Sequence, residues 1–322
     1  MGNQDRHIGV IGAGMAGLSC ATRLAEHGLS VTVFDKGRGP GGRMAARRAE
    51  VGGQVVSFDH GTQAFVAESS QFQSAVDYWQ CNGHADRWPA AGEGAYVGVP
   101  GMNGPLRAMA EPLAVRWGDR AEQVIQTDGG WLVQTPAGEH EFSDLAIAVP
   151  AEQAAVLLNE VAPTLAEIAG KIQSDPCWTI MVSFADHLPV HADCLEAADS
   201  TALIRWAARN SAKPQRSGIE NWVIQAGADY SRSILELEAD VAAAQILESF
   251  FNQNEIAPVQ PMHLVAHRWR YAFPVISDQQ TPDEIARWDA QMRVGVCGDY
   301  LSAPNVEGAW LSGRALADHI LR

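Results

Sequence analysis

The chain has 322 residues, 47% of them hydrophobic and 19% charged, with no low-complexity tract or repeat, which excludes a solenoid or a disordered segment and leaves room for two domains. Thirty-eight acidic residues against 23 basic ones give a formal charge of −15, which argues against nucleic acid and anionic membrane surfaces as partners. The cysteines, Cys20, Cys81, Cys177, Cys194 and Cys297, are odd in number and lack C-x-x-C spacing, as suits a reduced, cytoplasmic setting.

In chain order, residues 7–12 read as a short buried strand. Residues 15–27 follow as a helix with Leu18, Ala21, Leu24 and Ala25 on one face, and residues 30–35 as a second strand, together a βαβ unit. The apolar run 8–21 follows Arg6 and His7 as in a signal peptide, but its glycines fit a nucleotide-binding turn instead; no run has the length of a membrane span. A loop rich in Gly and Arg covers 37–48, and strand-like runs follow at 55–58 and 64–66. The glycine run 92–98 has neither strand nor helix beside it and reads as a loop. From 115 to 149 short strands with turns at Asp128-Gly129 and Ala137-Gly138 form a β-meander that ends in an apolar strand at 145–149. Residues 151–261 mix helices, such as 233–251, with strands, such as 178–184 and 222–225. Ser233 with Glu236, and Thr281 with Glu284, make capping-box signatures. The chain closes with a strand at 292–297 and a helix at 308–321 whose Ala309, Gly313, Leu316 and Ile320 are spaced to pack on a sheet.

Gly12-Ala13-Gly14-Met15-Ala16-Gly17 is a G-x-G-x-x-G motif between the first strand and the first helix. The first glycine permits the tight turn, the second lets the backbone approach a pyrophosphate, and the third lets helix and strand pack closely. The helix N-terminus offers free N–H donors and the positive end of a dipole. Asp35 closes the second strand, where a carboxylate accepts hydrogen bonds from a ribose diol. FAD and NAD share this fingerprint.

The segment Asp35-Lys36-Gly37-Arg38-Gly39-Pro40-Gly41-Gly42-Arg43-Met44 resembles the G-G-R-M loop of the flavin amine oxidase superfamily, and within it the renalase-like enzymes of bacterial type. The likeness continues through Asp59-His60-Gly61-Thr62-Gln63, Pro100-Gly101-Met102-Asn103-Gly104, His267-Arg268-Trp269-Arg270-Tyr271-Ala272, Gly298-Asp299 and Val306-Glu307-Gly308-Ala309, and so spans essentially the whole chain. The resemblance implies non-covalent FAD, with Gly41, Gly42 and Arg43 against its pyrophosphate, Asp299 on the ribityl chain, the Gly308 and Ala309 amides on the N1–C2=O edge and the Val124 backbone at the adenine. It also implies an α/β plus α+β fold, in which a Rossmann-type FAD-binding domain carries the inserted β-meander and the substrate domain is discontinuous. The expected division is 1–65, 100–150 and 290–322 for FAD, with 66–99 and 151–289 for substrate.

Only one dinucleotide fingerprint is present, so a nicotinamide nucleotide would enter the flavin site as a substrate. Renalase-like enzymes oxidise the 2- or 6-dihydro isomers of NAD(P)H to NAD(P)+ and pass the electrons to molecular oxygen as hydrogen peroxide. Hydride transfer from such a ring needs positioning at about 3–3.5 Å rather than a general base, and no Ser/His/Asp, Cys/His or paired-carboxylate pattern stands out. No metal is expected: His187 and His191 flank Pro189, and His263 and His267 lack a third ligand. The competing reading is a flavin amine oxidase, but the strand that carries a lysine in such enzymes has Thr179 at that position and Lys171 as its nearest lysine. A third is a flavin-binding redox protein without turnover. The expected substrate pocket is Tyr96, Asn103, Trp178, Thr179, His267, Trp269 and Tyr271, with flat aromatic walls for a planar ring, while Arg268 and Arg270 alternate with Trp269 and point away.

Overall fold

The computed structural model describes residues 6–199, 201–216, 218–276 and 284–322. Strands β1 (His7–Ile11) and β2 (Ser30–Asp35) pair in parallel and are connected by helix α1 (Met15–Glu26), which buries Leu18, Ala21 and Leu24 as their spacing requires. Next comes the hairpin of β3 (Arg47–Val51) and β4 (Gln54–Phe58), which turns at Gly52-Gly53 with φ of +56° and +77°, a conformation open to few other residues. Helix α2 (Ser70–Cys81), the paired strands β5 (Ala85–Arg87) and β6 (Tyr96–Gly98) and helix α3 (Gly104–Ala110) lead back to β7 (Ala114–Trp117). Strand β6 occupies part of the expected 92–98 loop, because Tyr96 also bridges to Phe65; that bridge is all that becomes of the expected 64–66 strand.

The expected meander resolves into three parts. Strand β7 lies parallel beside β2, while β8 (Gln123–Thr127), β9 (Gly130–Thr135) and β10 (Gly138–Phe142) form the antiparallel meander proper. Strand β11 (Asp144–Ile147) then returns beside β1. Helices α4 (Ala151–Leu158) and α5 (Pro163–Gly170) precede the long strand β12 (Gln173–Phe184), followed by β13 (Cys194–Glu196), β14 (Ile204–Arg209) and β15 (Glu220–Ala226). Helices α6 (Ala228–Ser233) and α7 (Ala239–Gln253) cover one face of these strands, and β16 (His263–Val275) completes the antiparallel order β13-β14-β15-β12-β16. Strands β17 (Ala286–Asp289) and β18 (Val294–Cys297) and helix α8 (Val306–Leu321) return to the first sheet, ordered β17-β18-β11-β1-β2-β7.

The helix expected over 233–251 begins later than expected: Ser233 is the last residue of α6, and α7 covers Ala239–Gln253. Glu236 turns to Arg268 and Arg270 and Ser233 donates to the Tyr230 carbonyl, so neither caps a helix and α7 begins only after Glu238. Of the second capping signature, residues 281–283 lie outside the described residues.

Packing supports a division of the chain different from the expected one. Phe72, Val76 and Trp79 of α2 share a core with Leu18, Leu24 and Leu316. Ala154, Leu158 and Leu165 of α4 and α5 share one with Ile11, Phe34 and Ile147, and β17 belongs to the first sheet. We propose a nucleotide unit that includes these segments and a second unit confined to the β12–β16 sheet, α6, α7 and the β3–β4 hairpin. Among the described residues no helix is long and apolar enough to cross a membrane.

Candidate active site

A cavity of about 1780 Å³ runs from the carboxyl ends of β1, β2 and β11 to the face of the second sheet left open by α6 and α7. It exceeds the roughly 300–1,000 Å³ of common small-molecule pockets, which leaves space for a dinucleotide and a second molecule. Because β2 leaves β1 on one side and β11 lies on the other, the end of β1 is the switch point where parallel sheets open a crevice.

The glycine motif occupies that point. Gly12 holds φ +108°, and a Cβ there would lie 2.5 Å from the Ala148 carbonyl; a Cβ on Gly17 would meet the Gly12 carbonyl at 1.8 Å, so helix and turn are in backbone contact. Off Gly14 there is nothing within 4 Å, because its open side faces the cavity, which Gly12, Gly14, Met15 and Ala16 line and Gly17 does not. Asp35 accepts from the Ala13 amide at 2.7 Å and the Gly37 amide at 2.6 Å, which ties β2 to the turn and leaves each oxygen a lone pair for a ligand hydroxyl. Lys36 and Val124 line the same end.

Gly41, Gly42, Arg43, Met44, Gly298, Asp299, Val306 and Ala309 line the middle. Arg43 and Asp299, expected on different parts of the cofactor, hold each other: Nη1 and Nη2 donate to the two carboxylate oxygens at 2.7 Å each, and Nη1 also reaches the Ala272 carbonyl at 3.2 Å. This bidentate pair joins the two ends of the chain across the cavity wall. The expectation for the last helix also shifts. Asn305 caps α8, accepting from the Gly308 amide at 2.7 Å through its side chain and from Ala309 at 3.1 Å through its carbonyl. The helix thus starts two residues before the expected position, and among the described residues the amides of Val306 and Glu307 are its uncommitted donors. Gly308 does not line the cavity.

At the far end His267, Trp269 and Tyr271 of β16 face the cavity, as expected. The pairings Asp175↔Phe273 and Cys177↔Trp269 show extra residues on β16 between them, a bulge beside the site. His60 stacks on Trp269 at 5.2 Å and meets His267 edge-on at 4.9 Å, while the Trp269 indole donates to the His60 carbonyl at 2.9 Å. Burial, then His267 and Arg47, push His60 down to about 4; burial and Arg47 lower His267 as well. Both imidazoles stay neutral at neutral pH.

Four expected pocket residues lie elsewhere. Trp178 is on the opposite face of β12, where its indole donates to the Ile234 carbonyl at 3.1 Å and Arg268 lies 5.4 Å over its ring. Thr179 faces the cavity side but is covered between Cys177 and its cross-strand partners Gln225 and His267. Tyr96 is buried against Phe65, and Asn103 donates to the Pro40 carbonyl at 3.1 Å beneath the G-G-R-M loop.

Other residues were missed. Gln225, Cys177, Arg205, Trp206 and Gln63 line the cavity. Gln225 donates to the Gly61 carbonyl at 2.7 Å. Lys213, not Lys171, is the lysine behind the wall: fully buried, it donates to Asp59 at 3.2 Å and Gln63 at 3.1 Å, and Arg216 joins Asp59 at 2.6 Å. Burial pushes Lys213 down to about 8 against the pull of Asp59. Lys171 is an exposed partner of Glu167. The segment 59–63 stood out in the sequence by resemblance, but nothing local pointed to Lys213.

A profile of the NAD(P)-binding Rossmann-like domain matches residues 10–80, and one of flavin containing amine oxidoreductases matches residues 80–321. The chain belongs to the flavin containing amine oxidoreductase family. This flavoprotein superposes on a protein assigned as a protoporphyrinogen oxidase from Exiguobacterium sp. 255-15 with TM-score 0.79 and 10% identity over 99% of both chains. It superposes on a putrescine oxidase double mutant with TM-score 0.66 and 14% identity, covering 98% of this chain and 99% of that one. Cyclohexylamine oxidase from Brevibacterium oxydans IH-35A gives TM-score 0.66 at 10% identity over 98% of each chain. These likenesses establish the fold. A zeta-carotene-forming phytoene desaturase of Myxococcus xanthus is 58% identical, but over 40 residues, 12% of this chain and 8% of the desaturase.

FAD is the cofactor, and the site fits it. The open side of Gly14, the α1 N-terminus and Asp35 suit an adenosine diphosphate. Glu152 Oε2 and the Tyr300 hydroxyl, buried without partners among the described residues, belong to residues that line the cavity near Asp299, where a polyhydroxyl chain would engage them. The chain's family is one of flavin-dependent oxidoreductases.

Proposed function

We propose that the flavoprotein oxidises the 2- or 6-dihydro isomers of NAD(P)H to NAD(P)+. Bound FAD supplies the hydride acceptor and returns the electron pair to molecular oxygen, giving hydrogen peroxide. The observation that carries this reading is the far wall of the cavity: Trp269 and His267, backed by His60, form a flat aromatic surface whose imidazoles are held neutral. Oxidation of a dihydronicotinamide asks for such a surface and for no proton acceptor, since the ring nitrogen's lone pair expels the hydride as the aromatic cation forms. The part of the protein is to orient the ring and exclude water.

A flavin amine oxidase is the second reading. Family membership favours it, and so does Lys213, a titratable amine one side chain behind the wall. Anaerobic mixing of the FAD-loaded protein with each reductant separates the two. The expected result is fast loss of flavin absorbance with 2- or 6-dihydro-NAD(P), slow loss with ordinary 4-dihydro NADH or monoamines, and peroxide on admitting air. Fast bleaching by a monoamine, with none by the isomers, would select the amine reading.

A further inference from the structure

Strand β14 meets the cavity through an irregularity. Its register against β15 runs Ile204↔Ala226 and then Trp206↔Gln225, so Arg205 is the extra residue of a β-bulge. In a regular strand Arg205 and Trp206 would face opposite sides of the sheet. A bulge re-aims one of them, and both line the cavity beside Gln225.

Each carries a donor that the fold leaves over. Arg205 lies 5.0 Å over the Phe273 ring, itself part of the cavity wall, and among the described residues it has no ion-pair partner. Arg268 and Arg270, by contrast, share Glu236. The Trp206 indole N–H is buried without an acceptor among the described residues, which a ligand oxygen would relieve. Glu196, opposite Trp206 in the β13–β14 register, is the opposing charge here; Arg205, Arg268 and Arg270 line this end with it, and Glu236, outside the cavity lining, pairs with Arg268 and Arg270. The balance is cationic in a molecule of formal charge −15. Both residues sit on the second sheet, apart from the Gly12–Gly17 turn at the other end of the cavity.

We infer that Arg205 and Trp206 form a subsite for the phosphate-bearing part of the substrate, Arg205 by a charge-assisted contact and Trp206 by one hydrogen bond. This rests on the nicotinamide dinucleotide reading and names the part of that substrate that is gripped away from the reacting ring.

The test uses FAD-loaded protein with R205Q and W206F, the latter removing the N–H and keeping the ring. ADP-ribose binding measured by calorimetry is expected to weaken about tenfold in R205Q and a few-fold in W206F. In kinetics, R205Q is expected to raise KM for dihydro-NAD and leave kcat and the KM of the phosphate-free dihydronicotinamide riboside unchanged. Unchanged ADP-ribose affinity in both variants, or equal KM increases for the two substrates, would overturn the subsite. If wild-type protein oxidises no dihydronicotinamide while R205Q still weakens ADP-ribose, the subsite stands and the substrate reading falls.

Discussion

The two ends of the cavity are made by different means. At the nucleotide end backbone does most of the work: a turn at φ +108°, a carbonyl within 1.8 Å of where a Cβ would be, and an open side at Gly14 all come from six consecutive residues. At the aromatic end the wall is side chains drawn from β12, β14, β15 and β16 and from the 59–63 segment, placed by sheet register and two bulges. A backbone site needs particular residue types at fixed spacing and tolerates little else, whereas a side-chain site can be assembled from many sequences. Substitutions at the first end should therefore act on cofactor or fold, and substitutions at the second on the rate of reduction.

Gly14 and Gly17 give the sharpest test of the first half. Valine at Gly14 points into open space and the backbone there is extended, at φ −81°, so G14V is expected to fold with unchanged circular dichroism and yet purify largely without FAD. G17V drives a side chain into the Gly12 carbonyl and should cost about 3 kcal/mol of stability, or prevent folding. A yellow G14V protein would remove Gly14 from the cofactor site. Next in size is D299A, which removes the partner of Arg43. Its FAD affinity is expected to fall about tenfold to a hundredfold, read by fluorescence titration; acid precipitation of wild type should release all flavin to the supernatant.

The contrast between the two ends also governs what the sequence could disclose. The βαβ unit, the motif, Asp35 and the meander turn at Asp128-Gly129 were legible because each depends on neighbours in the chain, and the second turn, expected at Ala137-Gly138, lies one residue earlier at Pro136-Ala137. His267, Trp269 and Tyr271 were legible as one face of a strand, but Trp178 was assigned to the wrong face, since its aromatic character fits a buried core as well as a binding wall. The start of α8 was misjudged because Asn305, a strong cap, lies just upstream of the glycine taken as its beginning. Lys213, Arg205 and Trp206 depend on contacts across more than a hundred residues or on a bulge, which no local pattern records.

The pair Trp269 and Trp178 sharpens the second half of the comparison. W269A is expected to retain FAD and slow anaerobic reduction about tenfold to a hundredfold through lost positioning. W178A should leave the rate of reduction close to wild type and lower stability by about 3–5 kcal/mol as a large core side chain is removed. Stopped-flow reduction and thermal melts on both variants decide the matter, and the reverse pattern would put the substrate wall on the α6–α7 side of the sheet.

The smallest effect expected near neutral pH concerns the imidazoles behind that wall. His60 titrates at about 4 in the fold because burial disfavours its charge, against an ordinary value of 6.5. Between these values the unfolded chain binds the proton and the folded chain does not, so stability rises with pH through this window and levels off above about 6.5. The His60 contribution, on the order of 3 kcal/mol when fully developed, is lost as pH falls from 6.5 towards 4, and H60Q should flatten that slope. From about pH 7.5, a unit above the ordinary imidazole value, both imidazoles are neutral in folded and unfolded chains alike, so neither stability nor the reduction rate should change on their account. The rate of reduction by the dihydronicotinamide isomers should stay flat from pH 6.5 to about 9, since the step needs no proton acceptor. A step near pH 8 that disappears in K213M would instead assign Lys213 a proton-linked part in turnover and favour the amine reading.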